Sequence, residues 1–387
     1  MKLPSSPGML NDTLGSPGPA PYWAADGLVA ERRYEIKMLG YNTPPEYLEY
    51  VDPFWRSFEA PNPFLNYTLG FFYIIFTFCS VIGNGVVIWV FATSKSLRTP
   101  SNMFVINLAL MDFIMMLKTP VFILNSFNDG PVWGKLGCDI YGLMGAFSGV
   151  GAASSNAVIA YDRYKTIAKP FEAKFSRGVA MTIVIMTWAY ALPWTILPYL
   201  EVWGRFVPEG FLTSCTFDYL TENSSTKGFV ASIFFFAYCV PASVIFMSYS
   251  QIFSHVSAHE KAMRPRCAKK MNVTNLRTVG SKDEQEKSAE IRIAKVAITI
   301  FFLFSISWLP YVTVALIACF GNRSLITPLV AMIPACTCKT VACIDPWVYA
   351  INHPKYRLEL QKRMPWFCIH EEKPQDNATQ ASEGGKE

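Results

Sequence analysis

The chain has 387 residues, of which 51% are hydrophobic and only 16% are charged. Soluble domains carry about 25% charged residues, so this composition and a mean hydropathy of +0.24 exclude an ordinary soluble protein and favour a membrane protein. The net charge of +5 requires no nucleic-acid partner, because most of the excess basic residues fall between apolar segments.

Residues 1–63 contain many prolines and no long periodic segment. We expect them to form a mostly disordered extracellular tail. The first 25 residues lack the apolar centre of a signal peptide, so the first apolar segment is expected to direct membrane insertion. At the other end, the polar residues 369–387 predict a disordered cytoplasmic tail.

Seven apolar segments between these tails are long enough to cross a bilayer, which requires about 20 residues. Backbone groups in lipid must be satisfied internally, so each segment predicts a helix. The sequence therefore predicts an all-α membrane protein, with a seven-helix bundle over residues 64–353. The segments are residues 69–93, 103–127, 138–162, 179–202, 228–254, 290–319 and 326–351.

Basic residues are distributed unevenly between the connections. Those after the first, third and fifth segments hold fifteen lysines and arginines, whereas those after the second, fourth and sixth hold four. Positively charged connections stay in the cytoplasm. The N-terminus is therefore predicted outside the cell and the C-terminus inside.

Two cysteines fall on the predicted outer side, Cys138 at the start of the third segment and Cys215 after the fourth. That side is oxidising, so a disulfide between them is expected. No metal site is expected from the other cysteines, which lie mostly in apolar segments. Asn-x-Ser/Thr glycosylation acceptors occur on the outer side at Asn11, Asn66, Asn223 and Asn322.

Polar and helix-bending residues recur at particular depths of the segments. Together they resemble the rhodopsin class of G-protein-coupled receptors, over about residues 64–368. They are Asn84, Asp112, Asp162-Arg163-Tyr164, Trp188, Pro241, Trp308-Leu309-Pro310-Tyr311 and Asp345-Pro346-x-x-Tyr349.

The resemblance implies a conformational switch at the cytoplasmic end. Arg163 would pair with Asp162 and with Glu290, holding the third and sixth helices together until activation. Tyr164 and Tyr349 belong to the same motifs. An ordinary interfacial charge cluster is the alternative interpretation.

Lys339 lies inside the last apolar segment, six residues before Asp345-Pro346. A lysine at a helix centre costs roughly 2.5–3.5 kcal/mol on insertion, and a desolvated amine can form a Schiff base with a carbonyl compound. This spacing resembles opsins, which implies 11-cis retinal, or a 3-hydroxy derivative, bound to Lys339. The alternative is a lysine whose amine reaches the interface or pairs with an acid.

The opsin resemblance also implies a loop folded as a plug before Cys215. Glu209 in that loop would stabilise a protonated Schiff base, because Tyr141 occupies the position of the vertebrate counterion. A solvated loop glutamate is the alternative. Further residues predicted around retinal, for which ordinary packing is the alternative, are Ser214, Trp308, Tyr311, Gly149, Phe234 and Ala335.

Lys118, in the second segment, precedes Thr119 and Pro120 as in insect ultraviolet-sensitive opsins. A cation about 5 Å from the Schiff-base nitrogen costs the protonated form on the order of 3 kcal/mol at an effective dielectric near 20. A deprotonated Schiff base absorbs in the near ultraviolet. The alternative is a lysine paired with carbonyls or water, without a spectral role.

Residues 353–357 (His-Pro-Lys-Tyr-Arg) are similar to arthropod short-wavelength opsins and open an amphipathic cytoplasmic helix predicted over 354–368. Tyr356, Leu360 and Met364 would lie in the lipid interface. In that family the element accompanies coupling to a Gq-type G protein, with arrestin as a second partner, in the photoreceptor plasma membrane (the rhabdomere).

The sequence thus predicts an ultraviolet-sensitive visual pigment that is not an enzyme. A blue-sensitive or non-visual opsin and a retinal photoisomerase remain as alternatives within the family. A light-driven pump is a further alternative, although only Asp112 and Asp345 offer carboxylates through the bundle. A receptor for a diffusible ligand is the last.

Overall fold

Across residues 36–270 and 280–371, seven helices are long and apolar enough to cross a membrane, which confirms the predicted all-α architecture. The structure, a computed structural model, describes residues 36–270 and 280–371, without the side chains of 257–290, 292–293, 349–352 and 367. Spans 1 to 7 are Pro63–Thr93, Pro100–Phe127, Gly134–Ala168, Arg177–Tyr199, Ser224–Val256, Ala294–Phe320 and Pro328–Val348.

Several helices continue past the apolar spans. The helix of span 5 reaches Lys270, that of span 6 runs over Gly280–Phe320, and that of span 7 over Pro328–Asn352. Polar caps mark where spans begin: the side chains of Asn62 and Ser176, for example, accept hydrogen bonds from the first free backbone N–H groups of spans 1 and 4.

Span 2 is interrupted at Lys118, which separates the helices Pro100–Leu117 and Thr119–Phe127. The interruption follows from Pro120, which lacks a backbone N–H and crowds the preceding turn. Thr119 donates its hydroxyl to the carbonyl of Met116 at 2.6 Å. The break leaves Lys118 with its side chain buried in the bundle.

Span 5 contains one turn of π-helix, Phe234–Cys239, between the α-helices Ser224–Ile233 and Val240–Lys270. Pro241 follows it and supplies no N–H to the turn before it. The carbonyl of Phe236 accepts a hydrogen bond from the Tyr190 hydroxyl at 2.6 Å, so span 4 provides a partner for this part of span 5.

Between spans 4 and 5 the chain forms an antiparallel hairpin of β1 (Phe206–Glu209) and β2 (Ser214–Phe217). A disulfide joins Cys138 of span 3 to Cys215 of β2, with Cα atoms 5.3 Å apart, which confirms the predicted pair. The hairpin is thereby fixed against the bundle.

Part of the segment predicted as a disordered tail is folded. Residues 45–50 form a 3₁₀ helix, Pro53–Arg56 form a short helix, and Met38 pairs with Glu59. The side chain of Trp55 is fully buried in an apolar cluster with hairpin and span 6 residues, and this burial stabilises the segment. Residues 1–35 lie outside the described part.

After span 7, a helix over Pro354–Arg363 is followed by a 3₁₀ turn over Pro365–Phe367. The predicted helix over 354–368 was therefore too long, because Pro365 disfavours a helical conformation at Met364. Tyr356 stacks on Phe91 of span 1, with ring centroids 5.2 Å apart. Tyr356 and Leu360 are buried in the bundle core, so their predicted position in the lipid interface was wrong.

Candidate ligand-binding site

A cavity lies inside the bundle beneath the hairpin. It encloses about 960 Å³ of space not filled by atoms, including the part that opens outward. Its wall is mostly apolar and aromatic, which is typical of small-molecule sites. Seven of the ten residues that were predicted to bind or influence the ligand line this wall: Lys118, Gly149, Glu209, Phe234, Trp308, Tyr311 and Lys339.

Lys339 extends from span 7 into this wall, and only 5% of the residue is exposed. Its amine donates a hydrogen bond to the carbonyl of Ala335, one helical turn earlier. Lys339 forms no ion pair with a carboxylate within the described residues. The amine is therefore available at the cavity surface, where an aldehyde could reach it.

Lys118 lies at the same end of the cavity and is 4% exposed. Its Nζ is 4.4 Å from the centroid of the Tyr141 ring, and Nζ of Lys339 is 5.6 Å from the same centroid. Both amines thus lie close to the same aromatic ring of span 3. Tyr141 itself is buried behind them, at 1% exposure, and does not line the cavity.

Glu209, at the end of β1, is the one carboxylate lining the cavity among the residues that the structure describes, and it is 2% exposed. Its carboxylate accepts hydrogen bonds from Ser214 at 3.0 Å and Tyr219 at 3.3 Å. Burial raises the pKa of Glu209, against the opposing effects of Lys339, the two hydroxyls and Lys118. The prediction placed Ser214 around the ligand, whereas the structure places it behind Glu209.

Three glycines of span 3 line the cavity. A Cβ at Gly142 would lie 2.5 Å from the Phe206 ring, and one at Gly149 would lie 2.9 Å from the Trp308 ring. A Cβ at Gly145 would collide with the amine of Lys118. The missing side chains therefore let Phe206, Lys118 and Trp308 approach the backbone of span 3 closely.

The sequence did not identify several residues of the site. Phe206, Thr216 and Phe217 line the cavity from the hairpin, and Thr216 forms a hydrogen bond with Tyr311. Side-chain alternation would not have marked them, because the consecutive residues Cys215, Thr216 and Phe217 all line the cavity, and the position of Phe206 depends on how the hairpin packs. Tyr219 had no signal, because it belongs to no motif.

The bundle end away from the hairpin holds the predicted switch residues. Arg163 and Asp162 form a buried ion pair, and Ser101 of span 2 donates a hydrogen bond to Asp162 at 3.0 Å. This confirms that the two motif residues pair. Tyr164, another predicted switch residue, is half-buried. The side chains of the other two, Glu290 and Tyr349, lie outside the described part.

The predicted glycosylation acceptors differ in exposure. Asn223 and Asn322 are exposed, whereas Asn66 is 2% exposed and its amide donates to Asp129 at 2.9 Å. A glycan on Asn66 conflicts with this structure, because its amide nitrogen is buried and occupied. Asn11 lies outside the described residues.

A seven-helix bundle with an internal apolar cavity is the architecture expected of a transmembrane receptor. Residues 83–349 match the family described as "7 transmembrane receptor (rhodopsin family)". The ultraviolet-sensitive opsin of Apis mellifera is 56% identical over 90% of this chain and 93% of its own, and opsin Rh3 of Drosophila melanogaster is 54% identical over 89% of each.

The blue-sensitive opsin of Apis mellifera is 48% identical over 96% of this chain and 97% of its own. The crystal structure of squid rhodopsin superposes with a TM-score of 0.76 at 34% identity, covering 87% of this chain and 95% of that one. The chain belongs to the rhodopsin family of seven-helix receptors and, within it, to the insect ultraviolet-sensitive opsins. It is accordingly a receptor and not an enzyme.

Proposed function

We propose that this protein is a light-activated receptor that binds retinal covalently through Lys339 and activates a Gq-type G protein. The observation that carries the proposal is the buried Lys339 amine at the wall of an apolar cavity that also contains the Glu209 carboxylate. Family membership supports it, since opsins are retinal proteins. The protein would lie in the photoreceptor plasma membrane with its hairpin outside.

The residues present fit this ligand. Lys339 supplies an amine for the aldehyde, and the cavity that Gly142, Gly145 and Gly149 line from span 3 has space that a polyene could fill. Retinal held there would supply light absorption and a change of shape on cis-to-trans isomerisation. Trp308 and Tyr311 would confine it from span 6.

Charges around the attachment point set its colour in this proposal. Glu209 favours a positive charge on the Lys339 nitrogen, whereas the cation of Lys118 opposes it. At about 5 Å and an effective dielectric near 20, one such cation costs on the order of 3 kcal/mol. The proposal therefore assigns near-ultraviolet absorption to Lys118.

A packed path leads from the cavity towards the opposite end of span 6. Trp308 contacts Gly149 of span 3 and stacks on Phe304, with ring centroids 5.6 Å apart. Pressure on Trp308 would displace span 6 relative to span 3. If spans 3 and 6 separated at the end of the bundle that holds the Asp162–Arg163 pair, a site for the G protein would open there. Arrestin would bind at the same site afterwards.

An absorbance spectrum after reconstitution with 11-cis retinal tests the binding site. We expect a near-ultraviolet band for the natural chain, a visible band for Lys118→Glu and Lys118→Gln, and no retinal-dependent band for Lys339→Ala. Lys135→Gln, outside the cavity and paired with Asp139, is the control and should leave the band unchanged. A persistent band in Lys339→Ala would refute the attachment site.

Light-dependent nucleotide exchange on a purified Gq-type protein tests signalling. The pigment should accelerate exchange only after illumination, and a pigment that isomerises retinal without accelerating exchange would be a photoisomerase instead. The Lys118→Gln pigment should still signal, with its action spectrum moved to visible light. That result would separate colour from coupling.

A further inference from the structure

We infer that Tyr141 is the positioning residue for Lys118, and that the face of its ring holds the Lys118 cation in a niche beside Gly145. This inference rests on the proposed function, because the position of that cation determines its effect on the chromophore. It assigns to Tyr141 a role other than that of a retinal contact or a counterion.

The contact of Lys118 with the ring is the central observation. Nζ of Lys118 lies 4.4 Å from the centroid of Tyr141, within the range of cation–π attraction. Lys118 forms no ion pair or side-chain hydrogen bond among residues 36–270 and 280–371 with described side chains. The ring face is therefore an attractive group on span 3 that contacts this buried amine.

Gly145, one helical turn after Tyr141 on span 3, completes the niche because it has no side chain. Gly145 follows Tyr141 by four residues, so the two lie on the same helix face. A side chain at Gly145 would collide with the Lys118 amine. Together with the break of span 2 at Lys118, this space directs the amine to the ring.

The hydroxyl of Tyr141 separates this inference from a hydrogen-bonding role. It is buried and has no hydrogen-bond partner in the described part of the chain. The attraction comes from the negative face of the ring, and it is stronger when the cation is removed from water. Phenylalanine at position 141 should therefore still hold the Lys118 cation, whereas an aliphatic residue should not.

A double-mutant cycle on the retinal-free protein tests the contact independently of pigment formation. Melting temperatures would be measured for Lys118→Met in three backgrounds: natural, Tyr141→Phe and Tyr141→Leu. In Tyr141→Leu, removal of the unsupported cation should raise the melting temperature by several degrees more than in the other two backgrounds. An equal effect of Lys118→Met in all three backgrounds would overturn the inference.

The reconstituted pigments give a second readout. The Tyr141→Phe pigment should keep the near-ultraviolet band, whereas Tyr141→Leu should increase the visible-absorbing fraction roughly tenfold, because the cation is no longer fixed. Gly145→Ala, which crowds the amine but keeps the ring, should act in the same direction if Tyr141→Leu does not fold. Equal spectra for Tyr141→Phe and Tyr141→Leu would refute the ring contact.

Failure of the proposed function would look different. If the natural chain and Lys118→Gln absorbed at the same wavelength, Lys118 would have no spectral role, whatever Tyr141 does. In that case, coupling between Lys118 and Tyr141 in the melting temperatures would still establish the contact, and its absence would refute it.

Discussion

Glu209 combines deep burial with two lysines that line the same cavity. Burial favours the neutral carboxyl and outweighs the lysines and the two hydroxyl donors, so its pKa is raised above the ordinary 4.5. A group whose pKa is raised by folding contributes stability that is complete below its unfolded pKa and is lost as the pH rises through its folded pKa. Glu209 should therefore make the retinal-free protein more stable in mild acid.

Glu209→Gln should remove this contribution. We expect the melting temperature of the retinal-free variant to fall less than that of the natural chain as the pH is raised from about 4.5. The exposed Glu46→Gln should follow the natural curve. Parallel curves for Glu209→Gln and the natural chain would show that the carboxyl does not titrate in this range.

The charged residues of the site were predictable from the sequence, but the contacts that hold them in place were not. Lys339, Lys118 and Glu209 could be predicted because a charged side chain in apolar surroundings costs free energy and usually has a function. The contact between Lys118 and Tyr141 was not accessible, because it depends on how two helices pack. The hydrogen bond from Tyr219 to Glu209 depends likewise on the fold of the loop.

Spans 4 and 5 share a polar contact within the membrane. The Phe236 carbonyl lies in the π-helical turn and accepts from Tyr190. A hydroxyl lost there would leave a carbonyl in lipid with a weaker partner or none, at a cost of about 1–3 kcal/mol.

Tyr190→Phe should consequently lower the melting temperature by several degrees. Tyr199→Phe is the matched control, because this tyrosine lies on the same span, is exposed and donates no hydrogen bond among the described residues. Equal melting temperatures for the two variants would show that the turn does not need the Tyr190 hydroxyl.

Regular elements were predictable where a long apolar run imposed them, and their irregularities were not. All seven spans were found, with ends displaced by several residues. The π-helical turn of span 5 escaped detection because Pro241 permits either a kink or a bulge. The end of the helix after span 7 was predictable, since Pro365 disfavours a helical residue before it. The predicted helix was too long because the amphipathic pattern was extended past this proline.

The hairpin and residues 37–62 form successive layers over the cavity. Leu39, Val51 and Trp55 pack in one cluster with Leu212 of the hairpin turn and Cys319 of span 6. This layer was not predictable from the sequence, because its residues follow no helical or strand period. Its order comes from burial against distant parts of the chain.

Trp55→Ala tests whether this outer layer stabilises the cavity beneath it. Trp55 is fully buried, and truncation of a buried tryptophan costs about 3–5 kcal/mol. We expect a lower melting temperature and faster bleaching of the reconstituted pigment by hydroxylamine in the dark, because a loosened hairpin admits water-soluble reagents. Trp366→Ala, 71% exposed beyond span 7, should change neither quantity. A lower melting temperature with unchanged bleaching would mean that the layer stabilises the fold without sealing the cavity.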